Sequence, residues 1–201
     1  MKKAKRAEQG FTLLETMVVA GIMFALVSFA MIQSFGSMQS YRANAAMDVV
    51  MGQLRVGRQL AISQRRNVKI TFNTAASPLS VTYQVIPNPG DTYTPTAVTI
   101  PLPPQVTFGS VAGEIDTPMG FGTCSGAYGV CIANVSGGPP SMYYTSVGTF
   151  TDATFVNPLN GTVFMAIPNE PATARAISIM GSTGRIRSYT FLNGTPPSWT
   201  E

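Results

Sequence analysis

The sequence lacks histidine altogether and contains only two cysteines in 201 residues. Without histidine, neither a Ser-His-Asp nor a Cys-His catalytic group can form, and the commonest zinc and copper ligand is missing. No pattern places another base beside a nucleophile, so we expect a protein that is not an enzyme and carries no cofactor or metal. Cys124 and Cys131 are separated by a glycine-containing segment, which favours a disulfide closing a small loop. Their spacing is not Cys-x-x-Cys, which argues against redox catalysis.

Charged residues are also scarce, at 11% of the chain, and they are unevenly placed. The first ten residues and residues 42–69 are basic, and no lysine or arginine occurs between Ile70 and Ala174. The 19 glycines and 15 prolines suit a loop-rich, β-rich head outside the cytoplasm better than a cytosolic enzyme.

Proline is absent between Phe11 and Ser77, and residues 17–35 carry no charge. As a helix, residues 11–35 would span about 37 Å, enough to cross a bilayer. The basic residues before this segment predict a cytoplasmic leader and a translocated head. A cleaved secretory signal peptide is the alternative, but the run is long for that role and Glu15 stands near its start.

Glu15 is the most informative residue of the apolar run. A carboxylate at mid-membrane costs about 3 kcal/mol on insertion scales, although the cost falls near the interface, where the side chain can snorkel. Snorkelling is one explanation of Glu15. The other is that Glu15 awaits a positively charged partner.

The segment Gly10-Phe11-Thr12-Leu13-Leu14-Glu15, behind its basic leader, resembles the class III signal of type IV prepilins and type II secretion pseudopilins. The resemblance implies that a prepilin peptidase cleaves between Gly10 and Phe11 and methylates the new N-terminus. It also implies that Glu15 neutralises the N-terminal amine of a neighbouring subunit during filament assembly. Burying the two opposite charges together is cheaper than burying either alone.

The resemblance and the patterning together predict an α+β fold, with a long N-terminal transmembrane and stalk helix followed by an antiparallel β head. We expect a continuous helix over 12–66. One face of it carries Met47, Val50, Met51, Leu54, Ala61 and Ile62, interrupted only by Arg58. The predicted regions are a leader at 1–10, a membrane helix at 11–35, an amphipathic helix at 36–66 and a head at 67–201 with an enlarged loop region at 87–140.

Alternating and β-branched residues predict the strands of the head. Residues 110–141 are expected to be irregular and the tail 194–201 to be loose. The predicted strands cover residues 68–72, 80–86, 98–102, 105–109, 141–150, 162–167, 175–180 and 185–192.

Two head motifs resemble the GspH/FimT-type minor pilins and pseudopilins. They are Leu54-Arg55-x-x-Arg58-x-x-Ala61-Ile62 and the late Arg175-x-Ile177-x-Ile179…Gly184-Arg185-Ile186-Arg187 hairpin, and the resemblance leaves out residues 87–140. It implies a structural subunit of a type II secretion pseudopilus or a type IV pilus. The implied partners are other pilin subunits, the prepilin peptidase, the inner-membrane assembly platform and, before assembly, membrane lipid. The implied location is the bacterial inner membrane, with a cytoplasmic leader and a periplasmic head, and then the filament.

Three other roles for the head are open from the sequence. Arg185 and Arg187, joined by Arg175 if the hairpin register allows, would contact DNA phosphates, as in FimT-like minor pilins that act in transformation. Solvated arginines on an exposed hairpin are the favoured explanation, because the chain without its first ten residues is nearly neutral. Glu114 and Asp116 invite a calcium loop but lack further clustered oxygens. An adhesive head carried by residues 87–140 is the third possibility.

Overall fold

One long helix begins the described part of the chain. The structure is a computed structural model that describes residues 12–92, 94–111, 113–122, 130–132 and 141–201, with backbone only at 32–36, 131 and 132. Helix α1 extends from Leu13 to Gln64, which confirms the predicted helix. Its length follows from the absence of proline, because a proline inside the helix would remove a backbone hydrogen bond and clash with the preceding turn. The chain divides into two compact units, Met1–Met38 and Gln39–Glu201.

The first unit holds the apolar part of α1. Its segment Leu13–Met31 is long and apolar enough to cross a membrane, and none of it is buried within the chain. Large apolar side chains such as Leu14, Phe24 and Phe29 are between 67% and 74% exposed. Exposed apolar surface of this extent needs either lipid or other helices to cover it.

The second unit contains two antiparallel sheets and the C-terminal half of α1. The first sheet has the strand order β3-β2-β1-β6-β7, and the second has the order β11-β10-β9-β8-β4, with β5 paired to β8. A 3₁₀ turn, Pro171–Thr173, precedes β9. The strands are β1 Val68–Asn73, β2 Ser80–Val85, β3 Val98–Pro101, β4 Thr107–Phe108, β5 Val130–Ile132, β6 Ser141–Tyr144, β7 Phe150–Thr151, β8 Gly161–Ala166, β9 Arg175–Met180, β10 Arg185–Leu192 and β11 Ser198–Thr200.

This order is the expected α+β fold, a long helix followed by an antiparallel β head. The β1–β2 hairpin pairs Val68 with Val85, and the β9–β10 hairpin pairs Arg185 with Met180. Both hairpins were predicted, because each joins two alternating segments through a short turn.

The main core lies where α1 meets both sheets. Val50, Leu54 and Ala61 of α1 are fully buried and belong to one cluster with Ile70 of β1 and Ile179 of β9. A second cluster lies on the other face of the second sheet and contains Phe164, Ala166, Ala174, Ala176, Tyr189, Phe191 and Trp199. The helix stripe therefore packs against sheet residues, as its spacing predicted.

Four local predictions were wrong. The strand expected over residues 141–150 is instead a hairpin, in which Tyr144 of β6 pairs with Phe150 of β7 across a turn. Ile62, assigned to the buried helix face, is 44% exposed. Residues 130–132, expected to be irregular, form β5 and pair with β8. The tail is not loose, because Ser198–Thr200 pairs with β10 and Trp199 is only 9% exposed.

Candidate functional site

Glu15 lies in the first turn of α1, where its own backbone is capped. The Glu15 amide donates a hydrogen bond to Thr12 Oγ1 at 3.2 Å, and the Thr16 amide bonds the Thr12 carbonyl oxygen at 3.1 Å. Thr-x-x-Glu is the capping-box pattern, and an acid in the first turn also suits the positive end of the helix dipole. The pattern was readable in the sequence, and it gives Glu15 a local role in starting the helix. Gly10 and Phe11, the predicted processing residues, lie outside the described residues.

A groove of about 750 Å³ lies in the second unit, between α1 and the turn that joins β9 to β10. Three arginines line it, Arg55 and Arg58 from the helix and Arg185 from the start of β10, and none of the acidic residues that the structure describes does. Cavities of about 300–1,000 Å³ are the size at which proteins bind small ligands or peptide side chains. The lining residues are Arg55, Arg58, Gln59, Ile62, Ser63, Met180, Thr183, Gly184, Arg185 and Ile186.

Arg58 holds one wall of the groove in place. Its Nη2 donates to the Thr183 carbonyl oxygen at 2.9 Å, and its Nε donates to the Gly148 carbonyl oxygen at 3.3 Å. Gly148 belongs to the turn between β6 and β7, whereas Thr183 belongs to the turn between β9 and β10. One side chain on the helix thus ties together a turn from each sheet. The rigid fork of a guanidinium suits such a double contact.

Two glycines make this contact possible. Gly184 has φ +62°, and a Cβ on it would lie 2.3 Å from the Gly148 carbonyl oxygen and 2.7 Å from Arg58 Nε. Gly148 has φ +83°, and a Cβ there would meet Ile62 Cδ1 at 2.7 Å. Any other residue at either position would be both strained and crowded. The arginine within the apolar helix stripe was the available sequence signal, but nothing in the pattern pointed to its partners.

The structure separates Arg175 from the other two arginines proposed to contact DNA. Arg175 pairs with Thr190 in the β9–β10 ladder, whereas Arg187 pairs with Ser178. Paired residues share a face and neighbours alternate, so Arg175 lies on the opposite face of the sheet from Arg185 and Arg187.

Arg175 is also inaccessible. It is 4% exposed, and its Nε donates to Asn44 Oδ1 at 2.8 Å. Its Nη1 donates to the carbonyl oxygens of Ala172 and Ala174 at 3.1 and 2.8 Å, and burial lowers its pKa. The geometry therefore gives Arg175 a structural place between α1 and the sheet and does not support it as a phosphate contact.

Arg185 and Arg187 do share a face, as predicted, but their surroundings differ. Arg187 Nη1 of β10 lies 3.1 Å from Oε2 of Glu201, the residue that follows β11, in an ion pair. Arg185 is exposed and has no ion pair with any residue that the structure describes. Only one of the three predicted arginines thus offers an unopposed positive charge at the surface.

The acids considered for calcium, Glu114 and Asp116, lie in the loop before β5 and are engaged by backbone. The Val111 amide donates to Glu114 Oε2 at 2.7 Å, and the Gly122 amide donates to Asp116 Oδ2 at 2.9 Å. Burial raises the pKa of Glu114 to about 7, although the Val111 hydrogen bond lowers it. Across the described residues, no three acids, cysteines or histidines come together as metal ligands. The predicted disulfide stays a prediction, because Cys124 lies outside the described residues.

Comparisons with known proteins give one structural likeness. No protein-family model and no curated protein sequence matches the chain. The type IV minor pilin FimU of Pseudomonas aeruginosa strain PAO1, known from a crystal structure, is similar in fold with a TM-score of 0.45. The two chains share 17% sequence identity, over 72% of this chain and 84% of that one.

Proposed function

We propose that the chain is a prepilin whose mature form is a structural subunit of a type IV pilus or a type II secretion pseudopilus. The observation that carries this proposal is Glu15 in the first turn of a helix whose segment Leu13–Met31 is uncharged after Glu15, predominantly apolar and unburied. The motif Gly10–Glu15, the uninterrupted helix and the antiparallel head support the same conclusion. The subunit waits in the inner membrane as a single-pass protein and then joins the filament.

Assembly is the mechanism that explains both the apolar helix and its acid. In a bilayer, lipid acyl chains cover the exposed apolar side chains of Leu13–Met31. In a filament, the same side chains pack against other subunits, and Glu15 meets the amine of a neighbouring N-terminus. An ion pair in apolar surroundings is costly to break, because removing one partner leaves the other charge uncompensated. Glu15 therefore fixes the axial position at which each subunit packs against its neighbour in the filament.

The DNA-binding alternative receives less support. Arg175 is buried, and the charge of Arg187 is opposed by Glu201. A DNA-binding surface depends on several phosphate contacts from one basic patch, since each contact adds only a part of the binding energy. We therefore propose a structural role for the head and no catalytic activity.

Processing is tested with Gly10→Leu in the full chain, co-expressed with a prepilin peptidase. We expect wild type to begin at an N-methylated Phe11 and the variant to retain its leader, as read by N-terminal sequencing and intact mass. A variant that still begins at Phe11 would disprove the processing step.

Assembly is tested with Glu15→Gln, with Asp48→Asn as the control in the same helix. Asp48 is exposed in the second unit and makes no ion pair with a described residue. In cells that assemble the filament, we expect Glu15→Gln to be processed and membrane-inserted but to fall at least about tenfold in sheared filaments, a loss that corresponds to 1.4 kcal/mol. Normal incorporation of Glu15→Gln would refute the partner role of Glu15.

A further inference from the structure

We infer that the arginine-lined groove between α1 and the β9–β10 turn receives the Asp152–Val156 turn of a second copy of this chain. The inference rests on the proposed function, since it names a contact between filament subunits. The groove combines positive charge with an apolar floor. Arg55 and Arg185 supply exposed charge, and Ile62, Met180 and Ile186 supply apolar surface.

The groove is formed before any partner arrives. Arg58 bonds the Thr183 and Gly148 carbonyl oxygens, which holds the β9–β10 turn against the helix. Ile62 is 44% exposed beside this clamp, although the rest of its helix face is covered. A preformed concave surface loses little conformational freedom on binding, which favours association. Its charge and shape call for an acidic segment with an apolar residue beside the acid.

Most acids in residues 39–201 are already engaged. Asp91 is paired with Arg66, and Glu201 is paired with Arg187. Glu114 and Asp116 each accept a backbone hydrogen bond within their own loop on one carboxylate oxygen, and the other oxygen of each is buried. Three described acids of this unit remain without an ion pair to another described residue, namely the exposed Asp48 and Glu170 and the half-buried Asp152.

Of these three, Asp152 has the required neighbour. It opens the turn after β7, and Val156 in the same turn is 72% exposed. Asp48 does not fit because it lies within the helix and not in a turn. Glu170 does not fit because its neighbours in the chain are Asn169 and Pro171, neither of which is a large apolar residue. The hydroxyl and amide of Thr154 hydrogen-bond Asp152 Oδ1, which presents the carboxylate in a defined turn. The groove and this turn are therefore complementary in both charge and apolar character.

A contact between two different surfaces of one chain extends into an open assembly wherever the rotation does not close a ring, because a dimer keeps one unused groove on one copy and one unused turn on the other. That is the type of interface that a filament needs. A nucleic acid suits the groove less well, because its phosphates would meet the arginines but leave Ile62, Met180 and Ile186 without an apolar partner.

The test uses the purified full chain in phosphatidylcholine vesicles, with the photo-crosslinker p-benzoylphenylalanine at Ser63 in the groove. We expect a crosslinked dimer whose peptide maps to residues 152–156. Asp152→Lys should lower the dimer yield at least about fivefold, since like charges placed together oppose association. Glu170→Lys makes the same charge change at an exposed acid outside the turn and should leave the yield unchanged. Arg55→Glu with Arg185→Glu should also lower the yield, and adding Asp152→Lys should restore it.

The inference is overturned if no dimer forms, if the crosslink maps to lipid or to another part of the chain, or if Asp152→Lys and Glu170→Lys have equal effects. Binding of a fluorescein-labelled DNA duplex that is lost in the Arg55→Glu and Arg185→Glu variant would assign the groove to nucleic acid and also overturn it. Glu15→Gln separates the two proposals, because the crosslink depends on head charges alone. Normal filament incorporation of Glu15→Gln would disprove the proposed assembly mechanism but would not contradict the groove contact.

Discussion

Arg58 donates a hydrogen bond from Nη2 to the Thr183 carbonyl oxygen, 2.9 Å away and 125 positions later in the chain. Its Nε bonds the Gly148 carbonyl oxygen in the same way. The residue that breaks the apolar stripe of α1 is thus the one that ties the helix to a turn of each sheet. The same contact shapes one wall of the groove.

Arg58→Ala should lower the free energy of unfolding of the head by about 2 kcal/mol, because two carbonyl oxygens lose a charged donor. Arg58→Lys should recover only part of the loss, since an ammonium cannot reproduce the fork. Urea unfolding followed by the fluorescence of the single tryptophan measures both. Arg55→Ala is the matched control, an exposed arginine one helical turn earlier, and should stay within about 0.5 kcal/mol. Equal losses at the two positions would contradict the clamp.

Gly184→Ala should destabilise the head by more than a positive φ alone explains. Its Cβ would come within 2.3 Å of a backbone oxygen, which a flexible side chain cannot relieve. Gly90→Ala is the control, because Gly90 has φ +96° with open space around its Cβ position. We expect the control to lose about 1 kcal/mol from backbone strain and Gly184→Ala to lose clearly more. The same urea titration compares the two, and similar midpoints would show that the approach of the two turns is not tight.

The raised pKa of Glu114 makes the stability of the head depend on pH. In the folded chain the pKa is about 7, compared with an ordinary 4.5, so the folded state binds the proton more tightly than the unfolded state. The free energy of unfolding should therefore fall as pH rises from about 4.5 to about 7, and Glu114→Gln should flatten this slope. Asp152 does not interfere in this window, because hydrogen bonds from Thr154 lower its pKa below the ordinary 3.8.

Unfolding curves measured at steps across this range provide the test. Glu170→Gln removes a carboxyl from an exposed turn and serves as the control. A slope that persists unchanged in Glu114→Gln would show that another group is responsible.

Trp199→Ala should detach the tail and cost about 3–5 kcal/mol, the usual loss for a buried aromatic side chain. The Trp199 ring lies 5.0 Å from that of Phe191, and its Nε1 donates to the Ile115 carbonyl oxygen at 2.8 Å. Trp199→Phe should keep most of the packing and lose only the hydrogen bond. Circular dichroism melts compare the variants, and resistance of the Trp199→Ala head to carboxypeptidase would argue against detachment of the tail.

The helix and the two hairpins were predictable because their information is local. Apolar residues at three- and four-residue steps define the face of α1 that carries Val50 and Leu54, and alternation defines β1 and β9. Strand β11 was missed because Ser198–Thr200 is short and follows two prolines, so its local pattern resembles a loop. Only pairing with β10 and the aromatic contacts of Trp199 make it a strand.

The candidate sites divide in the same way. Glu15 and the Gly10–Phe11 junction are assigned from the linear motif alone, and their roles in assembly and processing stay predictions. The structural roles of Arg58 and Arg175 could not be predicted from the sequence, because each arginine has a hydrogen-bond partner more than 80 positions away in the chain.

The sequence by itself therefore determined the long uninterrupted helix, the acid at its start and the antiparallel hairpins, because spacing and composition act locally. The tertiary structure alone decided which arginines are available. It buried Arg175 against Asn44, offset Arg187 with Glu201, and turned Arg58 into the clamp beside which Arg55 and Arg185 lie exposed. The sequence gives the positive charge of each arginine. Whether that charge is accessible to a partner depends on desolvation and on the neighbouring residues that folding brings together.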